Sequence, residues 1–351
     1  MIPIEIEISD AIIKEVLPLL PRDNRPPQQV RPDAYEAYLW GRLLWNKRTS
    51  DSLFQAVNYF KKAIDFEPTY APAYAGLADC YFLLGSVPYT ALRPSEAFPE
   101  AEANARKALE LDGNLAEAHI SLGYSALVYR RDFAEADRQF QSALRLRPQY
   151  PPAHEFYAYY LTAMARRSEA VKERQRARVL EPLSPIFNAA LGEAYYQDRQ
   201  FDLAIQENQK SLLADPSYLV ALMNIARSYE QQKNYAKADA TFRQVLSFAS
   251  QEPAVLAMAG HEYAVSGRSA QARDTLVQLQ EIARRRYVSP LYPALVEIGL
   301  GDKDQAFRWL DQAYDDRSDY LVYLRTDPWA DPLRTDPRFA TFLKKLGLPE
   351  E

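Results

Sequence analysis

Residues 183–216 read LSPIFNAALGEAYYQDRQFDLAIQENQKSLLADP, and these 34 residues give the length of a unit that recurs along the chain. Ala204, inside this stretch, belongs to a series of six alanines, each 34 residues after the last. The series is Ala136, Ala170, Ala204, Ala238, Ala272 and Ala306. A fixed period of this length is the signature of stacked helical hairpins. The chain is therefore predicted to be an array of repeats.

Other residues recur with the same 34-residue period and indicate how each unit is built. They are the tyrosines Tyr195, Tyr229 and Tyr263 and the prolines Pro148, Pro182 and Pro216. A small residue is typical of the place where two helices cross closely. A proline ends the second helix because it cannot continue the hydrogen-bond ladder. Each unit is therefore predicted to be a helix, a turn and a second helix, with strand content close to nil.

The unit resembles the tetratricopeptide repeat, whose pattern runs from an aromatic residue or leucine through a small residue, a tyrosine and two alanines to a proline. Residues 183–216 carry this pattern at Leu191, Gly192, Tyr195, Ala204 and Pro216. The resemblance implies an all-α fold, a right-handed superhelical solenoid. The in-register positions predict about eight helix-turn-helix repeats.

Composition limits the classes of partner. The 42 basic and 47 acidic residues leave a net charge of -5, so no global basic field predicts direct nucleic-acid binding. The single cysteine, Cys80, excludes an internal disulfide framework and favours a reducing compartment. No apolar run approaches the roughly 20 residues that span a bilayer, and the N-terminal residues lack the basic start of a signal peptide. The chain is therefore expected to be cytoplasmic, without a membrane partner.

The period also divides the chain into three predicted segments. Residues 1–30 precede the repeats and are expected to form an N-terminal extension and linker, and residues 31–319 form the array. Residues 320–351 lose the period, and since a terminal repeat must hide an apolar face, they are expected to be a capping segment. Residues 85–99 form an insertion in the second repeat with three prolines, and the sequence leaves its role open.

The whole chain is similar to one bacterial branch of these repeat proteins, in which the array is the C-terminal part of a longer polypeptide. The similar segments are EISDA at 7–11, YLWGRLLWNK at 38–47, EPLSP at 181–185, RYVSP at 286–290 and DPRF at 336–339. In that branch the upstream domain is often a winged-helix DNA-binding module, a nucleotide cyclase or a Ser/Thr kinase. None of these is present in the sequence, so their activities are not carried over.

No arrangement of residues predicts catalysis, a cofactor or a metal. A catalytic site needs a nucleophile, a base or a metal cluster at mutual hydrogen-bonding distance. His261 has no second histidine at metal-ligand spacing, and the sequence lacks a phosphate-binding glycine loop, a serine nucleophile elbow and a Cys-x-x-Cys motif. The protein is therefore predicted not to be an enzyme.

The resemblance implies that the first helix of each hairpin lines a concave face and that four positions in each unit project inward. Residues at those positions are aromatic or of mixed charge. They are Tyr35, Tyr38, Arg42, Trp45, Asp79, Phe82, Tyr124, Glu155, Tyr159, Glu193, Tyr196, Arg227, Glu230 and His261, and the aliphatic Leu127 takes one such position in the third unit. Asn224 joins them because, one helical turn from Arg227, it could help to bind a carboxylate. In an alternative interpretation, some of these rings pack between adjacent first helices.

A concave face of this composition suits peptide anchors, since tyrosine and tryptophan offer a large rigid contact area with a polar end. The predicted function is a non-catalytic scaffold that binds a peptide or a partner protein's surface there. Two alternatives stay open. The module could self-associate as a homodimer, through its tail or its isoleucine-rich start, to pair an upstream domain, or it could sense or carry a small apolar ligand.

Overall fold

The structure is a computed structural model that describes residues 30–87, 89 and 91–348 of the chain. Within these residues the first sixteen α-helices form eight hairpins, and no strand occurs. The hairpins, in order, are α1 Pro32–Asn46 with α2 Ser50–Phe66, α3 Ala71–Leu84 with α4 Pro94–Leu111, α5 Ala116–Ser125 with α6 Phe133–Leu146, α7 Pro151–Ala163 with α8 Arg167–Leu180, α9 Pro185–Gln197 with α10 Phe201–Ala214, α11 Leu219–Gln231 with α12 Tyr235–Ala249, α13 Pro253–Val265 with α14 Ser269–Ala283, and α15 Leu291–Leu300 with α16 Lys303–Asp315.

The chain leaves the last hairpin as a C-terminal segment of three short elements. Two 3-10 turns, Asp319–Tyr323 and Pro328–Leu333, precede the final helix α17, Pro337–Lys345. A π-helical turn, Ala126–Arg130, extends α5. The predicted all-α superhelix of about eight hairpins is confirmed. The predicted extension, residues 1–30, lies outside the described residues except for Val30, and the three segment boundaries stay a prediction.

The predicted insertion at 85–99 is shorter in the structure, because helix α4 already begins at Pro94. Proline is tolerated at the first helical position, where its missing N–H has no intrahelical partner. Pro99 also lies inside α4. The connection between α3 and α4 is therefore residues 85–93.

Small residues hold the hairpins together. All six alanines of the 34-residue series are between 0 and 2% exposed. Two glycines serve the same purpose in the first two hairpins, where a Cβ atom added to Gly41 or to Gly76 would lie 2.5 Å from the Phe60 ring. The ring of Phe60 thus occupies the space that the two missing side chains leave between adjacent first helices.

In the described residues, the turn inside every hairpin except the second uses a residue in the left-handed region, and from the third hairpin onwards this feature follows the repeat. The residues with positive φ at 34-residue spacing are Arg131, Ala165, Arg199, Lys233, Gly267 and Gly301. A left-handed residue directly after a helix lets the last turn close its hydrogen bonds. Because most of these residues are not glycine, the sequence alone does not mark the turns.

The superhelix closes on itself, since the last hairpin contacts the second and third. The guanidinium of Arg131 lies over the Tyr314 ring at 4.2 Å. Arg317 Nη1 donates to the Tyr129 carbonyl at 3.3 Å. Arg93 pairs with a carboxylate at the end of α16 at 3.8 Å. The concave face therefore becomes an interior, and the C-terminal segment runs through it.

Candidate functional site

The C-terminal segment places a buried carboxylate against the interior face of the array. Asp327 is fully buried, and its Oδ2 accepts hydrogen bonds from Tyr320 Oη at 2.6 Å, Arg227 Nη2 at 2.8 Å and Gln197 Nε2 at 3.0 Å. Its Oδ1 accepts from Tyr196 Oη at 3.3 Å. Two predicted partner-binding residues, Tyr196 and Arg227, are thus engaged by the protein's own chain.

The predicted residues of the first hairpins pack between adjacent first helices. Arg42 and Asp79 form a buried ion pair at 2.9 Å, and Ser121 donates to the other oxygen of Asp79 at 2.8 Å. Burial raises the pKa of the Asp79 carboxyl to about 6, although Arg42 and Ser121 lower it. Arg42 also lies over the Trp45 ring at 4.2 Å. These side chains correspond to the alternative in which the predicted groups pack inside the array.

Tyr35 and Tyr38 lie at the start of the same array. Both pack against a small apolar cluster that contains Ala37 and Tyr70. The ring of Tyr38 meets the Tyr70 ring edge to face at 5.4 Å. Burial raises the pKa of Tyr38 to about 12, so its hydroxyl stays protonated at neutral pH.

Three of the predicted rings meet in one aromatic cluster. Phe82 and Tyr124 lie 5.1 Å apart, and Tyr124 and Tyr159 lie 6.0 Å apart, between ring centroids. Phe156 joins them at 5.1 Å from Phe82, and Tyr323 of the C-terminal segment lies 5.9 Å from Tyr159. The repeat pattern did not predict a role for Tyr323, because the 34-residue period is lost after Asp319.

Asn224 and His261 face neighbouring hairpins. Asn224 Nδ2 lies 3.4 Å from both the Ala189 carbonyl and Asn208 Oδ1. His261 Nδ1 lies 3.0 Å from Glu230 Oε2. The Asp327 carboxylate, which pairs with Arg227, accepts a hydrogen bond from the amide of Gln197 rather than from that of Asn224. Partner binding by these residues stays a prediction.

A cavity remains between the interior face and the C-terminal segment. It is partly open to solvent, and the space outside protein atoms amounts to about 860 Å³ when the solvent at its open side is included. Five charged side chains line it, namely Arg48, Glu155, Glu193, Arg227 and Asp319. Apart from the polar Ser86 and Asn224, the rest of the lining is apolar or aromatic, with tyrosines from the array, the 85–93 connection and the C-terminal segment.

Three of these charged groups have a compensating partner. Arg227 is bound to Asp327, and Glu193 lies 3.5 Å from Arg174 Nη2. Asp319 Oδ2 accepts from the Val87 backbone N–H at 3.1 Å and from Tyr124 Oη at 3.3 Å. Burial raises the pKa of the Asp319 carboxyl to about 7.

Glu155 and Arg48 differ from the other three. Glu155 is 4% exposed, and its Oε2 has no hydrogen-bond partner. Burial raises the pKa of Glu155, while Arg48 and Arg174 lower it. Arg48 is 8% exposed, and its Nε has no acceptor.

Neither a metal-binding cluster nor a membrane-crossing helix is found in the described part of the chain. No group of three or more His, Cys, Asp or Glu residues in it is arranged to hold a metal ion. None of its helices combines the length and the apolar character that crossing a membrane requires.

A family model supports the repeat assignment. The tetratricopeptide repeat model matches residues 219–252, which contain α11 and α12. The chain contains a tetratricopeptide repeat in its sixth hairpin. Its repeats resemble human tetratricopeptide repeat protein 6, with 26% identity over 203 residues that cover 58% of this chain and 37% of the relative.

A second relative is the uncharacterized protein ycf37 of Guillardia theta. It is 39% identical over 66 residues, which cover 19% of this chain and 36% of the relative. The chain spans about a third of the length of the curated relatives it matches.

Solved structures share the fold of this chain. The human IFIT1 dimer with m7Gppp-AAAA superposes with a TM-score of 0.61 at 15% identity, covering 88% of this chain and 77% of that one. A chain of the APC/C hetero-tetramer Cut9-Hcn1 superposes with a TM-score of 0.57 at 16% identity, covering 87% of this chain and 52% of that one. At such identities the likeness shows the fold alone.

Proposed function

We propose that this tetratricopeptide repeat protein is a non-catalytic interaction scaffold and that a segment of its partner docks at the mouth of the interior cavity. One observation carries the proposal: the C-terminal segment leaves a cavity of about 860 Å³ that is open to solvent and lined by the first helices of the array. Here a partner can reach the concave face without displacing the buried segment.

The cavity is lined by half-buried aromatic and aliphatic side chains that suit a peptide anchor. Tyr89 comes from the 85–93 connection, Ile186 from the start of α9, and Tyr218 and Val220 from the start of hairpin six. Tyrosines give a large rigid contact surface with a polar end, and they are common among residues that dominate interface energies. The 85–93 connection is therefore assigned a role in binding.

The charges of the cavity indicate the character of the segment. Arg227 is neutralised by Asp327, so it does not attract an acidic terminus. Glu155, Glu193 and Asp319 line the same space, with Arg48 as the other cation. An apolar or basic segment fits this lining better than an acidic one.

The same charges disfavour nucleic acid. The IFIT1 structures contain IFIT1 with phosphate-bearing ligands such as m7Gppp-AAAA. Phosphate binding depends on an excess of Lys and Arg, whereas carboxylates outnumber cations in the present cavity. A protein partner is therefore the better proposal.

Site-specific photo-crosslinking in the native cell tests the proposal. A benzophenone amino acid at Tyr218 should give an adduct with one partner, and the same group at Val277, an exposed position on α14, should not. The adduct's peptide, made synthetically, should bind the purified chain and lose about tenfold in affinity with Tyr89→Ala. Identical adducts from both positions, or a peptide insensitive to Tyr89→Ala, would contradict docking at the mouth.

A further inference from the structure

We infer that the cavity binds a small zwitterion of the amino-acid class, with its ammonium group at Glu155 and its carboxylate at Arg48. The ligand would occupy the inner wall of the cavity. Its binding requires no partner protein, so the inference goes beyond docking at the mouth.

The ammonium site is the buried carboxylate of α7. Glu155 is 4% exposed, and its Oε2 has no hydrogen-bond partner. Burying a charged group without partners is costly, and native structures retain such a group where something else compensates it. A primary ammonium supplies three donors to a carboxylate in this position.

The carboxylate site is the guanidinium of Arg48, in the turn between α1 and α2. The Trp45 ring lies 3.9 Å from its central carbon and holds the group in place. Arg48 is 8% exposed, and its Nε has no acceptor. A guanidinium with unused N–H groups binds a carboxylate through short, charge-assisted hydrogen bonds.

The two charges share one space without meeting. Neither Arg48 nor Glu155 forms an ion pair within 4.0 Å with any residue that the structure describes. Yet Arg48 and Glu155 line the same cavity, together with Tyr89, Tyr159 and Tyr218. A ligand that carries both signs of charge gives each group its missing partner.

The remaining lining selects the side chain of the ligand. Glu193, Arg227 and Asp319 already have partners, which leaves Arg48 and Glu155 as the charged groups of this lining that make no direct ion pair or side-chain hydrogen bond with a described residue. Around them lie apolar and aromatic residues, among them Leu83, Phe156 and Met223. An amino acid with an aliphatic or aromatic side chain matches this environment, because burying that side chain is favourable.

Calorimetric titration of the full chain with matched probes tests the inference. L-leucine and L-phenylalanine are compared with 3-methylbutylamine, which lacks the carboxylate, and with 4-methylpentanoate, which lacks the ammonium. We expect at least one amino acid to bind, at least about tenfold more tightly than either truncated probe. Absence of binding by both amino acids, or equal binding of a truncated probe, would overturn the zwitterion assignment.

Variants locate the site. Glu155→Gln and Arg48→Gln should each weaken amino-acid binding by about tenfold or more. Glu207→Gln removes a buried carboxylate of α10 outside the cavity lining and should leave the affinity unchanged. An equal loss in all three variants would contradict the assignment. If a variant does not fold, the probe comparison on the unaltered chain still decides, and the Tyr218 crosslink separately decides partner docking.

Discussion

Arg227 donates from Nη2 to Oδ2 of Asp327 at 2.8 Å, across 100 residues of sequence. The arginine lies in the sixth hairpin and the aspartate in the C-terminal segment, and both side chains are buried. A residue predicted from the sequence to receive a partner's carboxylate therefore receives one from its own chain. This pair attaches the C-terminal segment to the interior of the array.

Asp327→Ala should destabilise the fold strongly. The substitution leaves the buried Arg227 without its carboxylate, and breaking a buried pair in this way costs about 3–5 kcal/mol. The free energy of unfolding in urea measures the loss. Asp331→Ala is the control, because the pair of Asp331 with Arg199 is more than one-third exposed and such pairs contribute about 0–1 kcal/mol. Similar losses in the two variants would contradict a structural role of the Arg227 and Asp327 pair.

Gly41→Ala should also lower stability. The added Cβ would lie 2.5 Å from the Phe60 ring, and such overpacking costs about 1–3 kcal/mol. Thermal unfolding followed by circular dichroism measures the effect. At Gly113 the nearest atom to an added Cβ is 3.8 Å away, so Gly113→Ala should be neutral or slightly stabilising. If Gly41→Ala left the unfolding temperature unchanged, helices α1 and α3 would be able to move apart without a loss of stability, which contradicts the packing argument.

The buried carboxyl of Asp319 predicts a specific pH dependence. Burial raises its pKa in the folded chain to about 7 from 3.8, so the folded state binds the proton more tightly than the unfolded state. Its contribution to stability is fully present below pH 3.8 and is lost as the pH rises through about 7. The free energy of unfolding of the unaltered chain, relative to Asp319→Asn, should therefore decrease between pH 4 and pH 8.

A second aspartate provides the control for this titration. The hydrogen bonds from Arg338 lower the pKa of the partly buried Asp336 to about 2. Its contribution is present above the unfolded pKa and is lost only as the pH falls towards 2. The difference between the unaltered chain and Asp336→Asn should thus stay constant between pH 5 and pH 8. A flat profile for Asp319→Asn over the same range would contradict the burial argument.

Lys233→Gly should stabilise the protein. Lys233 has a φ of 58° at a turn position where the next two hairpins carry Gly267 and Gly301. A left-handed residue with a side chain costs about 1 kcal/mol more than glycine, so the free energy of unfolding should rise by about 0.5–1 kcal/mol. Lys61→Gly, at an exposed position inside α2, should lower it by about 1 kcal/mol. The same sign in both variants would contradict the turn assignment.

The hairpins could be predicted from the sequence because each one contacts mainly its neighbours. The alanine series and prolines such as Pro216 record contacts within a hairpin and between adjacent hairpins, and these contacts repeat every 34 residues. Local chemistry therefore determined the helix-turn-helix unit and the approximate number of units, and the resemblance to the tetratricopeptide repeat implied the inward positions, including Glu155 and Tyr159.

The closed superhelix and its cavity were decided by tertiary structure alone. Tyr124 and Asp319 are hydrogen-bonded across 195 residues, and Arg48 and Tyr218 line one space from the first and sixth hairpins. These contacts arise because small rotations between successive hairpins accumulate until the last meets the second and third. The repeat pattern in the sequence contains no information about the summed rotation between hairpins. The sequence by itself therefore determined the repeating unit, and the tertiary structure decided which side chains face each other across the interior.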